Sequence, residues 1–350
     1  MRHTLQTLAL IISIVNTSNS GIRDIHWTIG PNMPEFRKAG CATVFDGKVI
    51  SVFGMRQPWG EMETMYIYDP KQDWWLRGPN APIGQSYVQG TTCQGAFYAI
   101  GGRTRRVHAH CYRLEASMDE TFVWTQMPDM NEAKAWAPSV AIDAKIYVLG
   151  GSAGTHGPTL NTVEMLDTSK SSPEWKIVSS IPGESRGWSA AAAVNGKIYL
   201  IGGKHFFWPK PKKGDDRKFF GDVLVYDPAT REWDSKNPLP YLLGGMDCVV
   251  YKNRFIIVLG GAALISSYSA EMSNVYRRIE GHESYYSPFV LVYDTLSDNW
   301  TRLPSILPVP THDIRVALLE DKVYALGGEN IEPANSNTTP WLRIGQIVEN

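Results

Sequence analysis

Lys322-Val-Tyr-Ala-Leu-Gly-Gly-Glu329 is the last of six similar stretches in this chain. The others are Lys48-Val-Ile-Ser-Val-Phe-Gly54, Ala96-Phe-Tyr-Ala-Ile-Gly-Gly102, Lys145-Ile-Tyr-Val-Leu-Gly-Gly151, Lys197-Ile-Tyr-Leu-Ile-Gly-Gly203 and Arg254-Phe-Ile-Ile-Val-Leu-Gly-Gly261. Each is a short β-branched and aromatic run stopped by glycine, which predicts a strand running into a loop. Glycine suits that place because the chain must turn sharply there and can take a positive φ.

Half of the twelve tryptophans keep a fixed distance from these glycines. Trp27, Trp75 and Trp124 lie 27 residues before Gly54, Gly102 and Gly151; Trp175, Trp233 and Trp300 lie 28 before Gly203, Gly261 and Gly328. From glycine to the next tryptophan the interval instead grows, from 21 to 39 residues. All length variation therefore falls in one loop, between the glycine pair and the strand after it. That strand ends in a second mark, as in Ile67-Tyr-Asp-Pro70, Met165-Leu-Asp167, Val225-Tyr-Asp-Pro228 and Val292-Tyr-Asp294, where aspartate and proline serve a turn. Each unit thus reads as four strands.

A period near fifty residues with Gly-Gly, Tyr-Asp and Trp marks resembles the kelch repeat, the blade of a β-propeller. The resemblance covers residues 21–350 and predicts an all-β, six-bladed kelch β-propeller with no internal domain boundary. The last unit ends after a third strand around Trp341 to Ile347, and the first begins with a spare strand, Ile25-His-Trp27. The N-terminal strand is therefore expected to complete the sixth blade and close the ring.

With 43% hydrophobic residues the chain has ample material for a core. A formal net charge of −1 supplies no overall attraction to nucleic acid or to an acidic membrane. Residues 1–20 stand apart: Arg2, an uncharged and mostly apolar run from Leu5 to Val15, then Ser18-Asn19-Ser20. This order of basic, apolar and small residues reads as a secretory signal peptide, so an exported protein (periplasmic or secreted) is expected, with no membrane anchor after cleavage. Asn299-Trp-Thr301 and Asn337-Thr-Thr339 are glycosylation sequons, meaningful only in a eukaryotic secretory pathway. Of the cysteines, Cys41, Cys93, Cys111 and Cys248, only Cys93 with Cys111 lie within one unit and suggest a disulfide.

If the strands of a blade are lettered a to d from the axis outward, the variable b–c loops and the d–a links emerge at the same end. Loops held by a rigid scaffold are where function concentrates, so this end is the candidate face. Counting 17 residues back from each second glycine reaches the start of the innermost strand at Arg37, Gln85, Lys134, Arg186, Gly244 and Thr311. Two positions on, the ring reads Ala39, Tyr87, Trp136, Trp188, Met246 and Asp313. One residue after the glycine come Met55, Arg103, Ser152, Lys204, Ala262 and Glu329. Cations, aromatics and a few carboxylates, Asp247 among them, suit a small anionic molecule with an apolar face, as a sugar acid has. Arg37, Arg103, Trp136, Arg186, Trp188, Lys204 and Asp247 are the candidate substrate-binding residues. The same arginines could equally pair with carboxylates, and the indoles could simply pack. Two long inserts extend this rim: a basic and aromatic one from His205 to Phe219, and one from Ser266 to Pro288 with Tyr276, Arg277, Arg278, Glu280, His282, Glu283, Tyr285 and Tyr286, which reads as a lid.

No Gly-x-Ser-x-Gly elbow and no phosphate-binding Gly-x-x-x-x-Gly-Lys loop occurs. His108-Ala-His110-Cys111 places two imidazoles on one strand face without the third ligand a metal needs, so neither metal nor cofactor is expected. The sialidase Ser-x-Asp-x-Gly-x-Thr-Trp turns are missing as well. The whole pattern is similar to the exported kelch propellers of the N-acetylneuraminate epimerase (sialic acid mutarotase) family. In that family a glutamate directly after a blade's glycine is assigned to ring opening, with an arginine six residues later. Glu329 stands at the matching place; six residues on is Asn335, and Arg343 lies further along. The resemblance implies an isomerase acting on a small acidic sugar, with Glu329 moving the proton, Arg37, Arg186 or Arg343 holding the carboxylate, and His312 and Asp313 as further acid/base groups. The rival expectation is a non-catalytic propeller that binds a glycan or protein partner through the same face.

Overall fold

A computed structural model describes residues 21–56, 60–116, 122–154, 157–209, 217–264, 284–330 and 338–350. The leader at 1–20, residues 210–216 of the first long insert, most of the second (265–283) and the sequon residue Asn337 lie outside the described residues. Among those described, no helix is long and apolar enough to cross a membrane. The strands make six antiparallel blades around one axis.

Blade one consists of Cys41–Phe45, Lys48–Val52, Met65–Asp69 and Trp74–Arg77, in the order a to d. Blades two to five repeat this order, and blade six takes Arg315–Leu319, Lys322–Leu326 and Leu342–Glu349 as its first three strands. Its fourth is Ile22–Ile29, paired with the chain's last strand from Ile22↔Glu349 to Ile29↔Arg343. Ile22 and Ile25 are fully buried in the cluster that joins blades five and six. The ring is closed as the sequence predicts.

Indoles cement each joint. The d-strand tryptophans of blades one to five send Nε1–H into the preceding blade: Trp75 to Pro31 O (2.9 Å), Trp124 to Pro79 O (3.5 Å), Trp175 to Pro128 O (3.0 Å), Trp233 to Ser179 Oγ (2.9 Å) and Trp300 to Asn237 O (2.9 Å). Such bonds satisfy the one polar atom of a large apolar group. The Tyr-Asp marks are tyrosines packed on these indoles, as in Tyr68–Trp75 and Tyr293–Trp300, followed by aspartates that cap the c–d turn. Asp69, Asp167, Asp227 and Asp294 each accept a backbone N–H two residues on.

Cys41, Cys93, Cys111 and Cys248 are all free thiols, which corrects the expected Cys93–Cys111 bridge. Cys93 sits opposite Ala96 at the a–b turn and Cys111 opposite Ile100 at the other end of the sheet. Four residues of strand separate those levels, roughly 13 Å, about twice the Cα span of a disulfide.

Candidate functional site

The mouth of the channel is built by the glycine pairs. In each blade the second glycine has φ near 100° and its N–H donates to the residue that opens the next blade's innermost strand, as Gly54 does to Gln85 O (2.7 Å) and Gly328 to Arg37 O (2.9 Å). A Cβ on Gly54 would stand 2.6 Å from Lys38 O, so both the φ and the close approach require glycine.

Just inside runs a ring of residues joined blade to blade through the backbone. Tyr87 N donates to Ala39 O, Trp136 to Tyr87, Trp188 to Trp136, Gly245 to Trp188 and Asp313 to Gly245, at 2.6–3.3 Å. All six ring residues have positive φ, with Ala39, Tyr87, Trp136, Trp188 and Asp313 at 51–56°. For large side chains this left-handed conformation is uncommon and is held only by its surroundings.

Blade five corrects the count made from the sequence. Its ring residue is Gly245, not Met246, and its opening residue is Leu243, whose carbonyl takes the bond from Gly203, not Gly244. The cause is a longer a–b turn: three residues separate Tyr251 from Phe255, where two separate Phe45 from Lys48. Met246 is buried in the core between blades four and five.

The ring divides into two halves. Tyr87, Trp136, Trp188 and Phe206 form a continuous aromatic wall, with centroids 4.3, 4.4 and 4.9 Å apart. Opposite them, His312, Asp313 and Glu329 bring donor atoms within 4.8 Å of one another. Glu329 Oε2 is 2.6 Å from Lys38 Nζ, and His312 Nδ1 is 3.5 Å from Asp313 Oδ2. His312 lies across Gly245, whose added Cβ would meet its Nε2 at 2.2 Å, and stacks on Tyr286 at 5.3 Å. The glycine in the ring thus leaves the space that the imidazole fills. Among the described residues its buried Nε2 has no hydrogen-bond partner.

Electrostatics tie the halves together. Burial lowers Lys204 to about 8, against the pull of Asp313 and Glu329 from blade six. Burial, reinforced by Lys204, holds His312 well below the usual imidazole range and therefore neutral. Burial raises Asp313, although Lys204, Arg315 and Lys38 oppose it, and raises the Tyr286 phenol, which also hydrogen-bonds Glu329. The His–Asp–Glu triad has the ligand types of a cation site. With Lys38 already on Glu329 and Lys204 and Arg315 close by, the field suits an anion better.

The structure separates the other candidates. Arg37 donates to Phe53 O and Thr64 O, both at 2.9 Å, and to Thr64 Oγ1 at 2.8 Å, with Glu35 3.9 Å away. Arg186 is bidentate on Asp222 and lies over Phe220 at 4.0 Å. Both guanidiniums are committed within their own blades. Arg103 is bridged to Ser86 beside Tyr87. Arg343 belongs to the third strand, where it stacks on Trp341 (4.9 Å) and donates to Leu342 O, apart from the ring around the axis. Asp247 lies one level deeper, accepting Val316 N at 3.0 Å, and burial raises its carboxyl. It lines a channel cavity of about 300 Å³ together with Thr43, Ser139, Ala191 and Arg315. His108 and His110 do share a face, stacked at 4.8 Å; their nitrogens meet Thr104 and Asp129.

One site residue escaped the sequence reading, and a second, Tyr286, was placed only in an insert on the rim. Lys38 is blade one's counterpart of His312, each just before the ring residue and bridged to the position after the glycine. Counting one place before the ring would have found it. Tyr286 reaches the mouth through a short strand, Ser284–Tyr286, that pairs with Ala262–Leu264. No repeat spacing marks such an addition.

A closed wheel of six four-stranded blades with glycine-lined joints defines the class, a kelch propeller. The chain matches the KLHDC2/KLHL20/DRC7 kelch-repeats domain over residues 89–328 and belongs to the kelch-repeat family. It is similar to kelch-like protein terF of Aspergillus terreus (26% identity over 67% of this chain and 52% of the relative) and to alpha-scruin of Limulus polyphemus (27%, over 76% and 27%). It is also similar to the N-acetylneuraminate epimerase of Yersinia enterocolitica (24%, over 63% and 58%). The chain spans between about a quarter and somewhat over half of these relatives' lengths.

Proposed function

We propose that this propeller binds a small acidic sugar of the sialic acid class at the channel mouth and exchanges its anomers. The observation that carries this reading is the desolvated group of Lys38, Lys204, His312, Asp313 and Glu329 facing an aromatic wall. Burying that many ionisable groups opposes folding, and desolvated groups with shifted pKa values cluster at functional sites. Glu329, steadied by Lys38, takes the proton of the anomeric hydroxyl. Asp313, with its raised carboxyl, protonates the ring oxygen as the ring C–O bond breaks and the carbonyl forms. Rotation and the reverse transfers give the other anomer. Neutral His312 passes protons between them. Arg103 and Lys38 supply the charge facing the substrate carboxylate, and Trp136 and Trp188 its apolar face. A placed acid or base of this kind contributes roughly 10²–10⁴-fold.

The N-acetylneuraminate epimerase relative supports this reading, and export of the mature chain from residue 21 belongs to it. NMR exchange spectroscopy on N-acetylneuraminate tests it: Glu329→Gln is expected to lower anomer exchange at least 10²-fold in a variant that still folds and melts cooperatively. Full activity in that variant would reject the role of Glu329.

A second reading, a partner-binding propeller, rests on the blade-four ribbon. There Phe207 and Trp208 are 39% and 63% exposed beside the mouth, the anchors a protein or glycan partner would cover. Binding of a partner lost in Trp208→Ala, with no response to sugar acids, would favour it.

A further inference from the structure

Lys204 differs from the other lysines of this end. Lys38 and Lys134 hold carboxylate oxygens at 2.6 and 3.0 Å, and Lys218 is paired with Glu184. Lys204 is 6% exposed, and among the described residues its Nζ pairs with no carboxylate. Its neighbours are instead the rings of Trp188, at 4.7 Å, and Phe219, at 5.5 Å. The position is fixed from both sides: the ribbon register sets Lys204 opposite Phe219, and the bridge to Gly187 ties its backbone to the start of the innermost strand. The carboxyls of Asp313 and Glu329 act on the amine from across the mouth, with Arg217 adding repulsion.

We propose that Lys204 is a nucleophilic amine that condenses reversibly with the carbonyl carbon of a small oxo acid, including the open-chain form of a sugar acid. The inference rests on the mouth being a small-molecule site. Apolar walls and a missing counter-ion are the surroundings in which a lysine is readily deprotonated and serves as a Schiff-base former. With the amine lowered to about 8, neutral nucleophile is present near physiological pH. In the step, the Nζ lone pair forms the N–C bond while the carbonyl π electrons move to oxygen, and the proton that the new ammonium gives up passes to that oxygen. Asp313 then protonates the hydroxyl, water leaves, and an iminium remains. Water addition reverses every stage, and nothing is oxidised or reduced. The charged half of the mouth meets the acid's carboxylate and the aromatic wall its carbon chain.

The test is reductive trapping of the full chain with pyruvate and sodium cyanoborohydride, read by peptide mass. A dominant adduct at Lys204 is expected, at least tenfold above the exposed Lys145 and Lys176, and absent in Lys204→Met and Lys204→Arg. Labelling at Lys204 no greater than at Lys145 overturns the inference, whatever the fate of the variants. A thermal shift with N-acetylneuraminate but no trapping rejects the amine chemistry and leaves the sugar site. Trapping without anomer exchange removes the isomerase and keeps the amine; neither signal removes both.

Discussion

A lysine held against two aromatic rings is harder to ionise than one in water, and the direction of its shift makes a testable statement about stability. Lys204 has a folded pKa of about 8 against 10.5 for the ordinary amine. The folded state therefore binds its proton less tightly than the unfolded one, a cost on the order of 3 kcal/mol when both are protonated. That cost is fully present below pH 8 and disappears as pH rises from 8 to 10.5, where only the unfolded chain still holds the proton. Lys204→Met is accordingly expected to raise the melting temperature by about 5 °C at pH 7. The gap to the wild type should shrink toward pH 10.5, as differential scanning fluorimetry across pH can show; a gap constant with pH would contradict the desolvated amine. At this scale the sequence disclosed positions better than partners. Spacing put Lys204, Trp136, Trp188, Asp313 and Glu329 at the mouth. The same count could not show that Arg37 and Arg186 spend their guanidiniums on Thr64 and Asp222, because those residues arrive from other strands of the blade. The three-residue turn of blade five moved the count by one and hid Gly245.

Within a blade, one charged pair stands out. Lys134, which opens blade three, lies 3.0 Å from Glu164 of the third strand, and both side chains are fully buried. Glu164 also accepts Asn131 N and Nδ2 at 2.7 and 2.8 Å, so the carboxylate organises the link between blades two and three. Removing its charge leaves a buried ammonium with, among the described residues, only Glu132 at 3.4 Å and the Thr162 hydroxyl. Glu164→Gln is predicted to lower unfolding free energy by about 3–5 kcal/mol in urea denaturation. A loss below about 1 kcal/mol would mean that the pair is not sealed from water. The four-strand pattern of the blade was legible because Tyr-Asp, Trp and Gly-Gly each have one geometric task. The Lys134–Glu164 pair was not, since a lone glutamate in a strand carries no spacing signal. The strand at Tyr286 was hidden for a similar reason: it pairs outside the repeat.

The molecule as a whole depends on two ends of one chain meeting. Ile22–Ile29 supplies the outer strand of blade six and buries Ile22 and Ile25 against blade five. Deleting residues 22–29 should leave Leu342–Glu349 as an unpaired edge, and the predicted result is loss of the cooperative melt, with aggregation on heating. A truncated chain melting like the full one would refute closure. This closure was readable from a unit with no tryptophan strand and a tryptophan strand with no unit. What the wheel encloses was less readable, because the mouth draws one or two residues from every blade, and its chemistry exists only once they meet. The most direct measurement is a thermal-shift titration with N-acetylneuraminate, glucuronate and glucose. The account predicts a saturable rise for the two acids, none for glucose, and its loss in Lys38→Met; equal responses to all three sugars, or no response to either acid at millimolar concentration, would contradict it.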